Sequence, residues 1–303
     1  MNIGEKLVKI FVDFIRIVET SLPLDVVKAI EDLVNHEEGI TKEIAIAMIK
    51  NIDIARRYSI PVCQDTGVLM FFIKTGLKSP FINFLSKSLI EAVEIATKEI
   101  PLRPNAVNPF TNFNSGNNIG KYIPWLEYEL DEESDVVDIW LYVAGGGSSY
   151  AGEAKILNPV SWKEQLINFV VEKTLNYGIN ACPPLIVGIG IGPTIEIASI
   201  LSKKALLRDL GKRHYEEHVA MLEKEIKDKL NSFSLGPQGL KGKIFVMDVF
   251  IEYSYRHPAT YAVAISFGCW VHRKGLLKLY QDLSYEIPTH GIGRTQYGQG
   301  LSH

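Results

Sequence analysis

Apolar residues recur at helical spacing along the first 60 positions. Val8, Phe11, Val12, Ile15 and Val18 fall three and four residues apart, which lines one face of a helix. A second helix is predicted over residues 25–38, with Gly39 as its stop. Thr41 is the expected N-cap of a third, whose buried stripe is Ile44, Met48, Ile52 and Ala55. That helix should end near Tyr58, because Pro61 pushes Ile60 away from helical angles.

Beyond Pro61 the period shortens. Residues 68–74 are β-branched and aromatic and read as a strand, followed by a helix over 81–99. Residues 136–143 read as a buried strand that runs into Gly145, Gly146 and Gly147. Further helices are predicted over 161–175 and over 194–208, the latter capped by Thr194, with a short strand at 185–191 between them. Residues 214–230 are so heavily charged that they read as a solvated helix, and 243–252 and 259–267 read as strands. Strands and helices alternate without a steady βαβ rhythm. The expected class is therefore α+β: a helical N-terminal portion, then mixed or antiparallel sheets flanked by helices. No linker stands out and no repeat is visible. The expected organisation is one catalytic domain over residues 1–281 and an irregular C-terminal tail over 282–303, rich in Gly, Gln, Tyr, Ser and His.

Composition narrows the function classes. In 303 residues, 47% are hydrophobic and 22% charged, ordinary values for a soluble globular protein. A net charge of −3 gives no reason to expect nucleic acid as a partner. The first 19 residues mix Lys6, Lys9, Asp13, Arg16 and Glu19 among apolar ones, unlike a signal peptide. No run approaches the roughly 18 apolar residues that span a bilayer. A cytoplasmic protein without a membrane segment is expected. The cysteines are Cys63, Cys182 and Cys269, an odd number at wide spacing, which is no disulfide framework. Without a Cys-x-x-Cys pair, finger-type zinc is not expected either. Three thiols can still meet as ligands of one metal centre.

Polar clusters suggest where chemistry sits. Cys63-Gln64-Asp65-Thr66-Gly67 places a thiol, an amide, a carboxylate and a hydroxyl at a helix–strand junction, although Asp and Gly are also ordinary turn residues. Residues 102–109 and 114–120 hold Asn105, Asn108, Asn114, Asn117 and Asn118. Such a loop can satisfy its own backbone, but that does not call for Arg103, which is suited to clamping a carboxylate. Gly145 to Gly147 allow close backbone approach to an anion or a cluster, or form a plain turn. Gly188, Gly190 and Gly192 alternate and are not a dinucleotide fingerprint. His257 precedes a proline, more often a structural position than a catalytic one. All three cysteines fall at predicted element boundaries beside Gly or Pro.

Together these blocks resemble the α-type catalytic region of the class I, iron–sulfur-dependent fumarate hydratase and L-tartrate dehydratase family. The matching stretches are CQDTG at 63–67, LRPNAV at 102–107, NSGNN at 114–118, GGGS at 145–148, ACPP at 181–184 and GIGIGPT at 188–194. ALLR at 205–208, LGPQGL at 235–240, HPAT at 257–260 and FGCW at 267–270 continue the series. The resemblance implies a [4Fe–4S] cluster held by Cys63, Cys182 and Cys269, with one iron left open as a Lewis acid. It implies Asp65 as a catalytic carboxylate handling a proton. Gln64 and Arg103 would bind substrate carboxylates, Gly145 and Gly146 would give backbone contacts, and His257 would touch substrate. The implied reaction is reversible hydration of a small dicarboxylic acid, with fumarate/malate expected first and tartrate next.

Two departures follow. Ser149 stands where the family usually has Glu after the glycines. The chain also ends soon after Cys269, leaving no room for the family's β-type region, so a separate β subunit of roughly 200 residues is expected. A homodimer or an α2β2 assembly is the expected oligomer. The second function class is a non-catalytic, cluster-binding regulatory or scaffold subunit, which the Ser149 departure and the unusual tail motivate.

Overall fold

A computed structural model describes residues 1–298. In chain order the helices are α1 (Ile3–Thr20), α2 (Leu24–His36), α3 (Gly39–Tyr58), α4 (Leu85–Glu99), α5 (Gly146–Tyr150), α6 (Trp162–Tyr177), α7 (Ile195–Ala205) and α8 (Glu217–Asn231). The strands are β1 (Val68–Thr75), β2 (Trp125–Leu130), β3 (Val137–Ala144), β4 (Glu153–Leu157), β5 (Leu185–Gly192), β6 (Val246–Tyr253), β7 (Tyr261–Gly268), β8 (Lys274–Leu279), β9 (Tyr285–Ile287) and β10 (Ile292–Thr295). The class is α+β with N-terminal helices, as expected. The described chain forms two compact units. The first comprises residues 1–24, 51–145 and 273 onward; the second comprises 25–50 and 146–272.

The first unit is built on a six-stranded sheet in the order β10-β9-β8-β3-β1-β2. Only β1–β2 is a parallel pair; the other neighbours are antiparallel. α1 and α4 supply much of the core. Leu7, Phe11, Phe14 and Val18 pack with Phe71 and Ile73 of β1, Ile139 and Leu141 of β3, and Leu89 and Val93 of α4. The sequence periodicity gave α1 one apolar face, but Ile10, Val12 and Ile17 are buried too, so the helix is covered nearly all round. An Asn2 capping box with Glu5 starts it.

The second unit has its own four-stranded sheet, β4-β7-β5-β6, with β5–β6 parallel and the other pairs antiparallel. β5 and β7 are buried along their whole length and pack against α6 and α8 through Leu166, Val170, Leu222 and Ile226. The alternating glycines of β5 now have a reason. A Cβ at Gly190 would stand 1.9 Å from the Ala198 carbonyl oxygen, and one at Gly188 would stand 2.3 Å from that of Ser202. Their absence lets α7 lie directly on the strand.

Several expectations change. Thr41 lies inside α3, which begins at Gly39. Its hydroxyl donates to Glu37 Oε2 (2.9 Å) and to the Glu38 carbonyl (2.9 Å) rather than capping. The segment from Asp282 is ordered into β9 and β10 as far as Thr295, because Tyr285 and Ile287 bury themselves in the first unit's core. The remainder of the expected irregular tail, residues 299–303, lies outside the described residues. The three glycines do not form a simple turn: Gly146 and Gly147 open α5.

Candidate functional site

In the first unit the Cys63–Gly67 segment connects α3 to β1. Cys63 and Asp65 are half-buried, Gln64 is exposed, and Thr66 and Gly67 are buried. Gly67 has φ +61, and a Cβ there would meet Val143 Cγ1 at 2.7 Å and the Ala144 carbonyl oxygen at 2.8 Å. Only glycine suits this turn into the sheet. The Gly67 N–H donates to Asp65 Oδ1 (2.9 Å), fixing the carboxylate against its own loop.

The asparagine-rich segment packs on this loop by side-chain hydrogen bonds. The Arg103 N–H donates to the Thr66 hydroxyl (3.0 Å), and that hydroxyl donates to the Arg103 carbonyl (3.3 Å). Asn105 Nδ2 donates to the Gly67 carbonyl (2.9 Å), and Asn118 Nδ2 donates to the Arg103 carbonyl (3.1 Å). The asparagines are therefore occupied with backbone. Asn108, Asn114 and Asn117 likewise accept from N–H groups two or three residues on. Arg103 is exposed and makes no ion pair among the described residues. The structure thus places Gln64, Asp65 and Arg103 on neighbouring, mutually braced loops with a guanidinium available for an anion. Gly145 follows at the end of β3 in the same unit.

In the second unit Cys182 and Cys269 flank two neighbouring strands of the sheet, β5 and β7. Cys182 precedes β5 and is exposed in a left-handed conformation (φ 57, ψ 71). Cys269 follows β7 and is half-buried. Antiparallel pairing sets Ile186 of β5 opposite Gly268 of β7, which brings the two loops to one end of the sheet. The Trp270 N–H then donates to the Cys182 carbonyl (3.2 Å) and ties them. The Pro183 carbonyl accepts from the Gln238 N–H (3.0 Å) and from Gln238 Nε2 (2.5 Å), a bracing role for the LGPQGL block that the sequence did not reveal. None of the three cysteines is in a disulfide.

His257 is exposed in the loop before β7. Its Nδ1 accepts from the Ala259 N–H (3.1 Å), which assigns the proton of the neutral ring to Nε2. Arg256 staples this loop, donating to the carbonyls of His257, Pro258 and Thr260 while lying over the Tyr261 ring. Gly146 is exposed at the start of α5.

Three thiols suit iron–sulfur ligation in kind, since thiolates are the usual ligands of such clusters. Each cysteine sits in a loop, not in a packed element, and the two loops of the second unit are joined. Within neither unit do three His, Cys, Asp or Glu side chains gather as a metal site among the described residues. The cysteines are divided one and two.

A protein-family model described as fumarate hydratase (Fumerase) matches residues 8–278. The chain is 41% identical over 286 residues to the L(+)-tartrate dehydratase subunit alpha of Escherichia coli K12, covering 94% of each chain. It is 40% identical over 281 residues to the putative L(+)-tartrate dehydratase subunit alpha of Methanocaldococcus jannaschii, covering 91% of this chain and 99% of that one. No helix among the described residues is long and apolar enough to cross a membrane.

Proposed function

The chain belongs to the fumarate hydratase family of hydro-lyases, and we propose that it is the α subunit of an enzyme that adds water to, or removes it from, a small dicarboxylic acid. The relatives' names move L(+)-tartrate ahead of fumarate/malate as the substrate to try first. The observation that carries the reading is the grouping of Gln64, Asp65 and the exposed Arg103 on braced loops beside Cys63.

We assign Cys63, Cys182 and Cys269 as ligands of one [4Fe–4S] cluster. When bound, such a cluster supplies Lewis acidity toward the hydroxyl that leaves in dehydration. The chain's own residues do the rest. Arg103 holds a substrate carboxylate through paired N–H donors, and Gln64 adds an amide donor to the same class of group. Asp65 moves the proton: dehydration removes hydroxide from one carbon and a proton from its neighbour, and hydration returns both. Gly145 and Gly146 contribute backbone contacts to the substrate, and His257 contributes its Nε2–H. Residues 1–281 form the catalytic region in this reading. A separate β subunit completes the site, in a homodimer or α2β2 assembly, in the cytoplasm.

Co-expression with a β-type partner, followed by hydration and dehydration assays on L-tartrate, malate and fumarate, tests the reading. Turnover of one of these acids, abolished by Asp65→Asn, is expected. An α·β complex that binds iron but turns over none of them would instead favour the non-catalytic scaffold.

A further inference from the structure

Glu19 is an unexpected residue to find at its position. It lies in the last turn of α1, where the helix dipole disfavours negative charge, and it is 0% exposed. One carboxylate oxygen, Oε1, is buried without a hydrogen-bond partner. Burial pushes this carboxyl up to about 7, although Arg273 pulls it down. Well-packed apolar residues in place of both members of such a buried pair are often no less stable, so the packing of α1 does not by itself call for this group.

Its connections point to the loop that carries Asp65. Glu19 Oε2 accepts from Arg273 Nη1 (2.7 Å), and both side chains are almost fully enclosed. Arg273 Nη2 donates to the Asp65 carbonyl (2.6 Å). The Glu19 carbonyl accepts from the Val62 N–H (2.9 Å), and the Arg273 carbonyl accepts from the Val143 N–H (3.1 Å) on β3. Glu19 therefore grips the 62–65 segment at both ends: at Val62 through its backbone, and at Asp65 through the arginine. Arg273 in turn is anchored to the sheet.

We propose that Glu19 and Arg273 are positioning residues for Asp65, forming a buried ionic clamp that sets where the Asp65 loop lies and hence where its carboxylate meets the substrate. The proposal rests on the catalytic reading of Asp65. A guanidinium suits the task because its rigid fork can serve a carboxylate and a carbonyl at once, which a lysine ammonium does poorly. The pair is costly as a stabiliser, but an ionic clamp restricts geometry where an apolar contact would let the loop slide.

The test uses the iron-loaded α·β enzyme. Glu19→Gln removes the charge and keeps the shape; Glu19→Asp keeps the charge and draws it back by one methylene; Arg273→Lys keeps a cation without the fork. Small misplacements of a reacting group can cost about 100-fold, so Glu19→Gln and Arg273→Lys should each lower kcat by about that factor. KM should stay within about threefold and iron per chain should not change. Glu19→Asp should recover part of the loss. Placed on top of Asp65→Asn, Glu19→Gln should add little further loss in kcat, because both act through one group. Wild-type kcat per loaded chain in Glu19→Gln and Arg273→Lys, with only a lower Tm, would overturn the proposal. Where Glu19→Gln fails to fold because Arg273 is left buried beside a neutral partner, Glu19→Asp and Arg273→Lys carry the same reading. Full turnover by Asp65→Asn alone would be a different failure, that of the role assigned to Asp65.

Discussion

The two units hold their cysteine loops by different physics. In the first, the Cys63 loop is fixed by side chains: a buried Glu19–Arg273 pair, the Thr66 hydroxyl and the Asn105 amide. In the second, the Cys182 and Cys269 loops are held by the Trp270-to-Cys182 backbone hydrogen bond, the Gln238 backbone and side-chain contacts to Pro183 and the left-handed turn at Cys182 itself. The second unit does not lack buried charge. Glu223 and Asp248 are both nearly inaccessible, and Arg208 and Arg213 reach them. That network joins α8 to β6 and the 208–214 loop. Buried charge costs desolvation wherever it occurs. In the first unit it ends on the backbone of a proposed reacting residue, Asp65.

If that contrast is real, perturbing each unit should produce different kinds of damage. The largest effect is expected from Asp65→Asn, which should lower kcat by about 1,000-fold in the α·β enzyme, in the range for loss of a positioned proton-transfer group. Retention of more than a tenth of the activity would remove the first unit's special status. Next, Glu223→Gln should destabilise the chain by about 3 kcal/mol, because it weakens a buried carboxylate's pairing with the partly enclosed Arg208 and Arg213. Denaturant melts would measure this, and kcat per loaded chain should stay at the wild-type value. A fall in kcat matching that of Glu19→Gln would erase the distinction between the two networks.

Gly190→Ala should cost about 2 kcal/mol by forcing α7 off β5, again without changing kcat per loaded chain. The smallest effect concerns pH. The Glu19 carboxyl, raised from 4.5 to about 7, keeps its proton to higher pH in the folded chain than in the unfolded one and is the charged partner of Arg273 above that value. The folded state then binds more protons than the unfolded state between those values, so stability present below about pH 4.5 is lost as the pH rises through 7. This group should lower Tm by about 5 °C between pH 5 and pH 8, and Glu19→Gln should flatten that slope. Parallel slopes for the two proteins would show that Glu19 is not the group responsible.

What could be read from the chain alone follows the same division. The long apolar periods of α1, β1, β3, β5 and α7 were legible, as was the placement of every cysteine in a loop at an element boundary. β2 was not, because its residues are mostly exposed and Trp125–Leu130 carries two glutamates on a sheet edge. β8 was not either: Lys274 is fully buried, where a lysine in sequence reads as surface. The Glu19–Arg273 clamp was hidden for a stronger reason. Its members are 254 positions apart, and Glu19 looks like one more charge on a mixed helix. Side-chain bracing between distant segments leaves no local pattern, whereas backbone bracing announces itself through Gly and Pro.

Iron content of the anaerobically reconstituted chain tests the joint role of the two units most directly. The expected result is about four irons per chain in the wild type and clear loss of iron in each of Cys63→Ser, Cys182→Ser and Cys269→Ser, whichever unit carries the change. Full iron retention in Cys182→Ser, with activity intact, would contradict the three-thiolate assignment.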